Sequence, residues 1–179
     1  MPGENVSARK LAEMLRVDHA GEYGAVQIYR GQRAVFSRSP SKAHAERLIA
    51  DMEAGEQEHL RTFDRMIAER GVRPTIMAPV WRLAGFGLGA ATALMGEKAA
   101  HACTEAVEEV IEEHYAEQSR ALDGVDTELK RVVDKFREDE IAHKETAIDQ
   151  GARQAAAYPL LSAVIKFGCR AAIRISERV

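Results

Sequence analysis

The chain has 179 residues, of which 46% are hydrophobic, and carries a formal net charge of −3. This length suffices for one domain with a substantial core, and the slightly acidic charge argues against a general nucleic-acid-binding protein. The two cysteines, Cys103 and Cys169, form no CxxC motif, so we expect reduced, buried thiols and neither a disulfide framework nor a cysteine zinc site.

Four long helices are predicted, because apolar residues recur at helical spacing and no run of alternating strand residues is found. They cover about residues 7–36, 42–70, 97–122 and 127–150. The serine-rich segment 37–41 ends the first helix and offers a cap for the second. Gly71 and Pro74 end the second helix, and Asp126 or Thr127 caps the fourth. The fold class predicted from this pattern is all-α, in one domain that spans residues 1–179.

Two further helices of a different character are predicted at about 79–96 and 158–178. The first contains the uncharged segment 83–96, which is shorter than the roughly 20 residues needed to span a bilayer. The second is amphipathic, and its basic residues recur every four positions: Lys166, Arg170, Arg174 and Arg178. A four-helix bundle closes its own core, so these helices must cover another subunit, a lipid surface or an apolar substrate. The basic pattern favours a membrane surface, and an ordinary solvated helix face is the alternative.

The first of these apolar helices also contains the glycine-rich run Gly85-Phe86-Gly87-Leu88-Gly89. It follows no predicted strand and has no acidic ribose ligand after it, so a dinucleotide-binding loop is not indicated. Small residues that allow close contact between helices explain the run better.

Charged residues interrupt the apolar stripes of the second and fourth long helices. Each helix carries a Glu-x-x-His motif, at Glu56–His59 and at Glu140–His143. Positions i and i+3 lie on one helix face, so each motif directs a carboxylate and an imidazole into the same space. With 28 acidic residues and six histidines in the chain, the motifs alone are weak evidence. Their placement in apolar stripes is stronger, because unpaired buried carboxylates are costly.

The two motifs belong to a longer internal repeat. Glu22 lies 34 residues before Glu56, and Glu108 lies 32 residues before Glu140. Two similar helix pairs are implied, each with one glutamate and one Glu-x-x-His motif. That set is typical of ferritin-like four-helix bundles with a di-iron centre, although spacing alone does not separate Glu108 from its neighbour Glu109.

The donor set also indicates which metal ions would bind. Four carboxylates balance the charge of two ferrous ions, and six protein ligands leave positions open for dioxygen. Zinc is less suitable, because structural zinc sites prefer closed Cys/His sets. Ligand type does not separate iron from manganese.

Several segments resemble the demethoxyubiquinone hydroxylase family of ubiquinone biosynthesis. They are Arg16-Val17-Asp18-His19-Ala20-Gly21-Glu22-Tyr23-Gly24-Ala25, the two Glu-x-x-His motifs, Ala102-Cys103-Thr104 with Val107-Glu108-Glu109, His114-Tyr115, Phe136-Arg137 and Ser176-Glu177-Arg178. The likeness runs from about Leu15 to Val179. It implies a ferritin-like di-iron monooxygenase that uses O2 to hydroxylate a polyprenylated 6-methoxy-3-methyl-1,4-benzoquinol, the penultimate step of ubiquinone biosynthesis.

The resemblance also implies roles for individual residues. The metal ligands would be Glu22, Glu56, His59, Glu108, Glu140 and His143. Of these, Glu56 and Glu140 would bridge the irons, with Glu22 and His59 on one iron and Glu108 and His143 on the other. His114 and Tyr115 would assist electron or proton delivery, or would simply be a packing pair.

The expected surroundings follow from the same resemblance. They are a membrane that holds the quinone, on the cytoplasmic face of a bacterial plasma membrane or the matrix face of the mitochondrial inner membrane. NADH is a candidate reductant, with a reductase or the quinol itself as the alternative electron donors. Other ubiquinone-biosynthesis proteins and a second copy of the chain are candidate partners. Residues 1–9 contain no apolar segment, so no secretion signal is expected there.

Three alternatives to this function remain. A ferritin-like iron store would need a soluble, cage-forming exterior in place of apolar segments. A purely structural bundle would leave its core carboxylates without partners. Another di-iron oxygenase could act on tRNA or fatty acyl chains, although the former should show a basic groove that the net charge does not support.

Overall fold

The computed structural model describes residues 7–179, so the expectation for the amino terminus lies partly outside the described residues. Six α-helices make up the fold: α1 Ala8–Phe36, α2 Ala43–Glu69, α3 Ala78–Leu94, α4 Glu97–Leu122, α5 Thr127–Asp149 and α6 Tyr158–Ser176. Short 3-10 turns at Pro40–Lys42 and Ala152–Gln154 precede α2 and α6. Over residues 7–179 there is no β-strand. The all-α prediction is therefore confirmed, and each predicted helix ends within two residues of its observed bounds.

Local capping residues explain several of these helix ends. The Asp126 carboxylate accepts a hydrogen bond from the backbone N–H of Leu129, at 3.0 Å, and so caps α5 as predicted. Gly71 follows α2 with φ of 63°, a left-handed conformation that glycine adopts without strain.

The predicted serine cap of α2 is wrong. Lys42 occupies the cap position and provides no side-chain hydrogen bond. The hydroxyls of Ser39 and Ser41 lie 2.9 Å apart and bond to each other instead. The 3-10 turn that Pro40 begins places these serines one turn before the helix starts.

Helices α1, α2, α4 and α5 form the bundle, since all four contribute to one buried core. Its members are Met14, Leu15, Phe63, Met66, Ile67, Tyr115, Leu122, Leu129, Val133 and Phe136. The short connections within α1–α2 and α4–α5 make each a helical hairpin, in agreement with the internal repeat. The ferritin-like fold class predicted from the sequence is thus confirmed.

Helix α3 packs along α1 at unusually close range. A Cβ atom added to Gly89 would lie 1.9 Å from the Ile28 carbonyl oxygen, and one added to Gly85 would lie 2.9 Å from that of Gly24. Only glycine permits this approach, so the glycine-rich run serves helix contact, as predicted. Helix α6 packs on α4, and Trp81 of α3 donates a hydrogen bond to Ser176 of α6 at 3.1 Å.

None of the helices described over residues 7–179 combines the length and apolar character needed to cross a membrane. Helices α3 and α6 nevertheless leave large apolar side chains exposed, among them Leu83, Leu94, Leu160 and Phe167. The bundle core lies beneath these helices, so their outer faces are not needed to close it.

Candidate metal centre

Six side chains predicted as metal ligands meet in the middle of the bundle. They form two overlapping groups, Glu22, Glu56, His59, Glu140 and Glu56, Glu108, Glu140, His143, and within each group the ligand atoms lie within 4.8 Å of one another. Glu56 and Glu140 belong to both groups. The predicted stripes therefore do turn these polar residues inward, and all but the partly buried His143 are fully buried.

The two shared carboxylates each face both histidines. Glu56 places Oε2 3.5 Å from His59 Nδ1 and Oε1 2.9 Å from His143 Nδ1. Glu140 places Oε1 3.2 Å from His59 Nδ1 and Oε2 3.4 Å from His143 Nδ1. Because the two oxygens of each carboxylate point to different imidazoles, both side chains have the geometry of a bridge between two adjacent cations.

Eight buried atoms of this cluster make no hydrogen bond of suitable geometry among the described residues, although several of them face one another across 2.9–3.5 Å. They are Glu22 Oε2, both carboxylate oxygens of Glu56 and of Glu140, Glu108 Oε2, and the Nδ1 atoms of His59 and His143. Leaving so many buried polar atoms unpaired is costly. Oxygen and imidazole nitrogen donors fit divalent iron or manganese, so the residues present suit a pair of such ions.

The pKa values of the cluster residues are shifted by burial and by their charged neighbours. Burial raises the pKa of Glu22 and of Glu108 well above the usual value, and the charge of neighbouring carboxylates adds to the effect. Burial also opposes ionisation of Glu56, but the adjacent imidazoles outweigh it and hold that pKa at about 2. For His143, burial lowers the pKa, yet contact with Glu140 and Glu56 raises it to about 11. The crowding of buried carboxylates thus favours positive charge at this cluster.

Two buried tyrosines donate hydrogen bonds to the unshared carboxylates, which are the two glutamates that belong to only one ligand group. Each tyrosine comes from the opposite half of the chain. Tyr29 of α1 donates a hydrogen bond to Glu108 at 2.6 Å. Tyr115 of α4 donates one to Glu22. Tyr29 was not predicted from the sequence. The internal repeat does contain a signal for it, because each tyrosine follows the glutamate of its own half by seven residues.

His114 lies one layer farther from the cluster than Tyr115. Its Nε2 atom is 3.1 Å from Asp18 Oδ1, and Gln118 donates to the same carboxylate at 2.9 Å. His114 also lines a cavity of about 210 Å³ between α1, α4 and the end of α6. Of the two residues predicted to assist delivery, only Tyr115 contacts a cluster residue.

Asp139 is a second residue that sequence reasoning missed. Its carboxylate lies 3.1 Å from Nε2 of His59, the ring atom that faces away from the cluster. Lys135 donates to the same carboxylate at 2.7 Å. No sequence signal separates Asp139 from the other acidic residues of α5.

The basic stripe of α6 is only partly free. Lys166 pairs with Glu109 at 2.6 Å and Arg170 pairs with Glu113 at 2.9 Å, so two of the four cations of the stripe are neutralised by glutamates of α4. These pairs also separate the two candidates of the Val-Glu-Glu run, since Glu109 faces Lys166 while Glu108 joins the cluster. A surface groove of about 720 Å³ runs along α6, and none of the six cluster residues lines it.

A ferritin-like helical bundle with a carboxylate–histidine cluster at its centre is the class of protein that the fold and this site define. The chain belongs to the family described as ubiquinone biosynthesis protein COQ7, which matches residues 9–176. The family resemblance inferred from the sequence is therefore confirmed.

Named relatives cover almost the whole chain. The 3-demethoxyubiquinol 3-hydroxylase of Rhodospirillum rubrum is 48% identical over 179 residues, which is 100% of this chain and 83% of that protein. The human NADPH-dependent 3-demethoxyubiquinone 3-hydroxylase, mitochondrial, is 43% identical over 98% of this chain and 81% of its own length. The 5-demethoxyubiquinone hydroxylase of Saccharomyces cerevisiae mitochondria is 37% identical, again over 98% and 81%.

Proposed function

We propose that this chain is a di-iron monooxygenase that hydroxylates the ring of a polyprenylated demethoxyubiquinol, the penultimate step of ubiquinone biosynthesis. The single observation that carries the metal assignment is the pair of overlapping ligand groups that share Glu56 and Glu140. The names of the relatives support the substrate and the reaction. In balance, the ring C–H, O2, two electrons and two protons give the ring C–OH and water.

Each cluster residue has a distinct role in this proposal. Glu56 and Glu140 would hold both ions, because their oxygens face both histidines. The unshared ligands complete the two positions: Glu22 with His59, and Glu108 with His143. The iron pair, when bound, supplies the binding and reduction of O2. The four carboxylates neutralise its charge, and the buried bundle core keeps bulk water away from it.

Tyr115 and His114 form the polar side of the centre. Tyr115 fixes Glu22 by its hydrogen bond, and Asp18 orients the His114 ring at the wall of the smaller cavity. We assign His114 to proton transfer between that cavity and the protein interior, since its ring is partly exposed while Asp18 is buried.

The apolar side of the centre suits the quinol. A cluster of small and aliphatic side chains joins α6 to α1, α3 and α4, and its members are Ile28, Leu88, Cys103, Ala106, Val107, Ile111, Leu161, Ile165 and Cys169. Cys169 lies near enough to Glu108 for their charges to interact, and burial first and then that carboxylate raise the pKa of its thiol to about 12. We propose that the ring of the substrate approaches the ions through these apolar side chains.

The outer faces of α3 and α6 would dock on the membrane that holds the prenyl chain. Leu83, Leu94 and Phe167 are each about three-quarters exposed, at 75%, 76% and 75%. Transfer of such side chains out of water is favourable by roughly 1.5–3 kcal/mol each when complete. Arg174 and Arg178 make no ion pair within residues 7–179 and can face anionic headgroups. The membrane would be a bacterial plasma membrane or the mitochondrial inner membrane.

The electron donor is proposed to be a reduced nicotinamide. The sequence resemblance led to NADH, whereas the names of several mitochondrial relatives specify NADPH. The cavity that His114 lines has three acidic residues, Glu13, Glu117 and Glu177, and one basic residue, Lys10. This charge balance does not favour binding of an anionic dinucleotide there. A homo-oligomer and association with other ubiquinone-biosynthesis proteins stay predictions.

The hydroxylation itself is tested with ferrous protein reconstituted under argon. We expect that adding a demethoxyquinol, a reductant and air yields the hydroxylated quinol, detected by mass spectrometry, and that Glu140→Ala abolishes it. Unchanged turnover in Glu140→Ala would refute the site assignment. Iron uptake without any product would favour the storage alternative.

Membrane docking needs a separate test. In flotation with vesicles, we expect Leu83→Ser combined with Phe167→Ser to lower the bound fraction strongly. Val125→Ser is the matched control, because Val125 is an exposed apolar residue in the loop before α5. Equal binding of both variants would contradict docking through α3 and α6.

A further inference from the structure

The two histidines of the metal centre are held very differently. The outward Nε2 atom of His59 contacts Asp139 at 3.1 Å, and Asp139 is in turn held by Lys135. Among the described residues no side chain pairs with Nε2 of His143. The ring of His143 is also more accessible, with 16% of its side chain exposed against 3% for His59.

The space beside His143 explains why it lacks such a partner. Gly55 of α2 lies next to this ring, where an added Cβ atom would be 3.4 Å from Nε2. A glycine offers no side-chain group to bond the nitrogen and leaves a gap toward solvent. On α5, Asp139 directly precedes Glu140 and is directed toward His59, not toward His143.

The unshared carboxylates do not differ in this way. Glu22 and Glu108 are both fully buried, and each accepts one phenol hydrogen bond, from Tyr115 and Tyr29 respectively. The shared carboxylates serve both positions equally. The asymmetry of the centre therefore lies in its histidines.

We propose that the two metal positions are unequal: the Glu22–His59 position binds its ion first and tightly, while the Glu108–His143 position is weaker and exchangeable. The inference rests on the proposed di-metal function and deepens it. Asp139 acts as a positioning residue, because a carboxylate on the outer nitrogen fixes the ring and makes it a stronger ligand. Loss of such a partner typically lowers metal affinity about 10–100-fold.

The test is a titration of the metal-free full chain under argon, with Fe²⁺ followed by calorimetry and Mn²⁺ followed by its electron paramagnetic resonance. We expect two binding steps whose affinities differ by about 10–100-fold. His143→Ala should keep the tight step and lose the weak one, whereas His59→Ala should lose the tight step. Circular dichroism verifies that each variant stays folded.

Asp139→Ala tests whether Asp139 positions the His59 ring for metal binding or only stabilises the fold. We expect it to weaken the first step by about 10-fold or more and to leave the second step nearly unchanged. Asp64→Ala is the matched control, since Asp64 pairs with Nε2 of His19 at 3.0 Å in the same manner but away from the cluster. It should leave both steps intact.

The outcomes distinguish this inference from the function on which it rests. Two ions bound with equal affinity by the unaltered chain, or a first step insensitive to Asp139→Ala, would overturn the inequality and leave the di-metal function standing. A chain that binds no Fe²⁺ or Mn²⁺ would instead overturn the proposed centre itself.

Discussion

The close contact between α3 and α1 makes Gly89 a sensitive position. In Gly89→Ala, the new Cβ atom would lie 1.9 Å from the Ile28 carbonyl oxygen, whereas such carbon–oxygen contacts normally require about 3.3 Å. The atom it meets is backbone, so no rotamer change relieves the clash. The two helices must separate by roughly 1 Å or more, and overpacking of this kind costs about 1–3 kcal/mol.

Gly87 supplies an internal control on the same helix. A Cβ atom added there has nothing within 4 Å, so Gly87→Ala should act through helix propensity alone and stabilise by about 1 kcal/mol. Gly89→Ala gains the same propensity term but should still be net destabilising, by up to about 2 kcal/mol.

Thermal and urea unfolding followed by circular dichroism measures the difference. For a chain of this size, 1 kcal/mol corresponds to about 2–4 °C in Tm. We therefore expect Gly87→Ala to raise Tm and Gly89→Ala to lower it. If both variants shifted Tm in the same direction and by the same amount, the argument from backbone contact would be refuted.

Three further predictions concern the centre and its supporting helices. Metal uptake should release protons, because the metal ions displace them from the imidazole of His143 and from carboxyls whose pKa is raised by burial. Because the pKa of His143 is raised to about 11 in the metal-free protein, the apparent affinity for the metal ions should rise between pH 6 and pH 8. Calorimetry in buffers of different protonation enthalpy measures the proton release. Metal binding that is independent of pH would contradict this prediction. Tyr29→Phe leaves Glu108 without its hydrogen bond and should weaken only the second metal step, by about 10-fold, in the titration described above; a change in the first step would be the contrary result. Asp126→Ala removes the cap of α5 and should cost about 1 kcal/mol or slightly more, read from urea unfolding, while an unchanged midpoint would show that the cap is replaced.

The helices themselves were predictable because their signals are local. Asp126 caps α5 and Gly71 terminates α2 through contacts within a few residues, and such contacts can be read from sequence. The glutamates and histidines of the cluster were predictable for a related reason, since i and i+3 spacing fixes their shared face.

What could not be predicted depends on contacts between distant helices. Tyr29 meets Glu108 across 79 positions of sequence, and Asp139 meets His59 across 80. The ion pair of Lys166 could not be predicted for the same reason, because its partner Glu109 lies on α4 and not on its own helix. Helical periodicity indicates which face is charged, but not what lies opposite.

Each half of the chain supplies the tyrosine that bonds the glutamate of the other half. Neither helix pair can therefore assemble the centre alone. Helices α1 and α2 hold Glu22, Glu56 and His59, but the phenol that steadies Glu22 comes from Tyr115 of α4. Helices α4 and α5 likewise depend on Tyr29 of α1. The candidate metal site thus lies at the interface between the two helical hairpins. Bound ions would therefore link the two helical hairpins, and their removal would leave four glutamates crowded together between them.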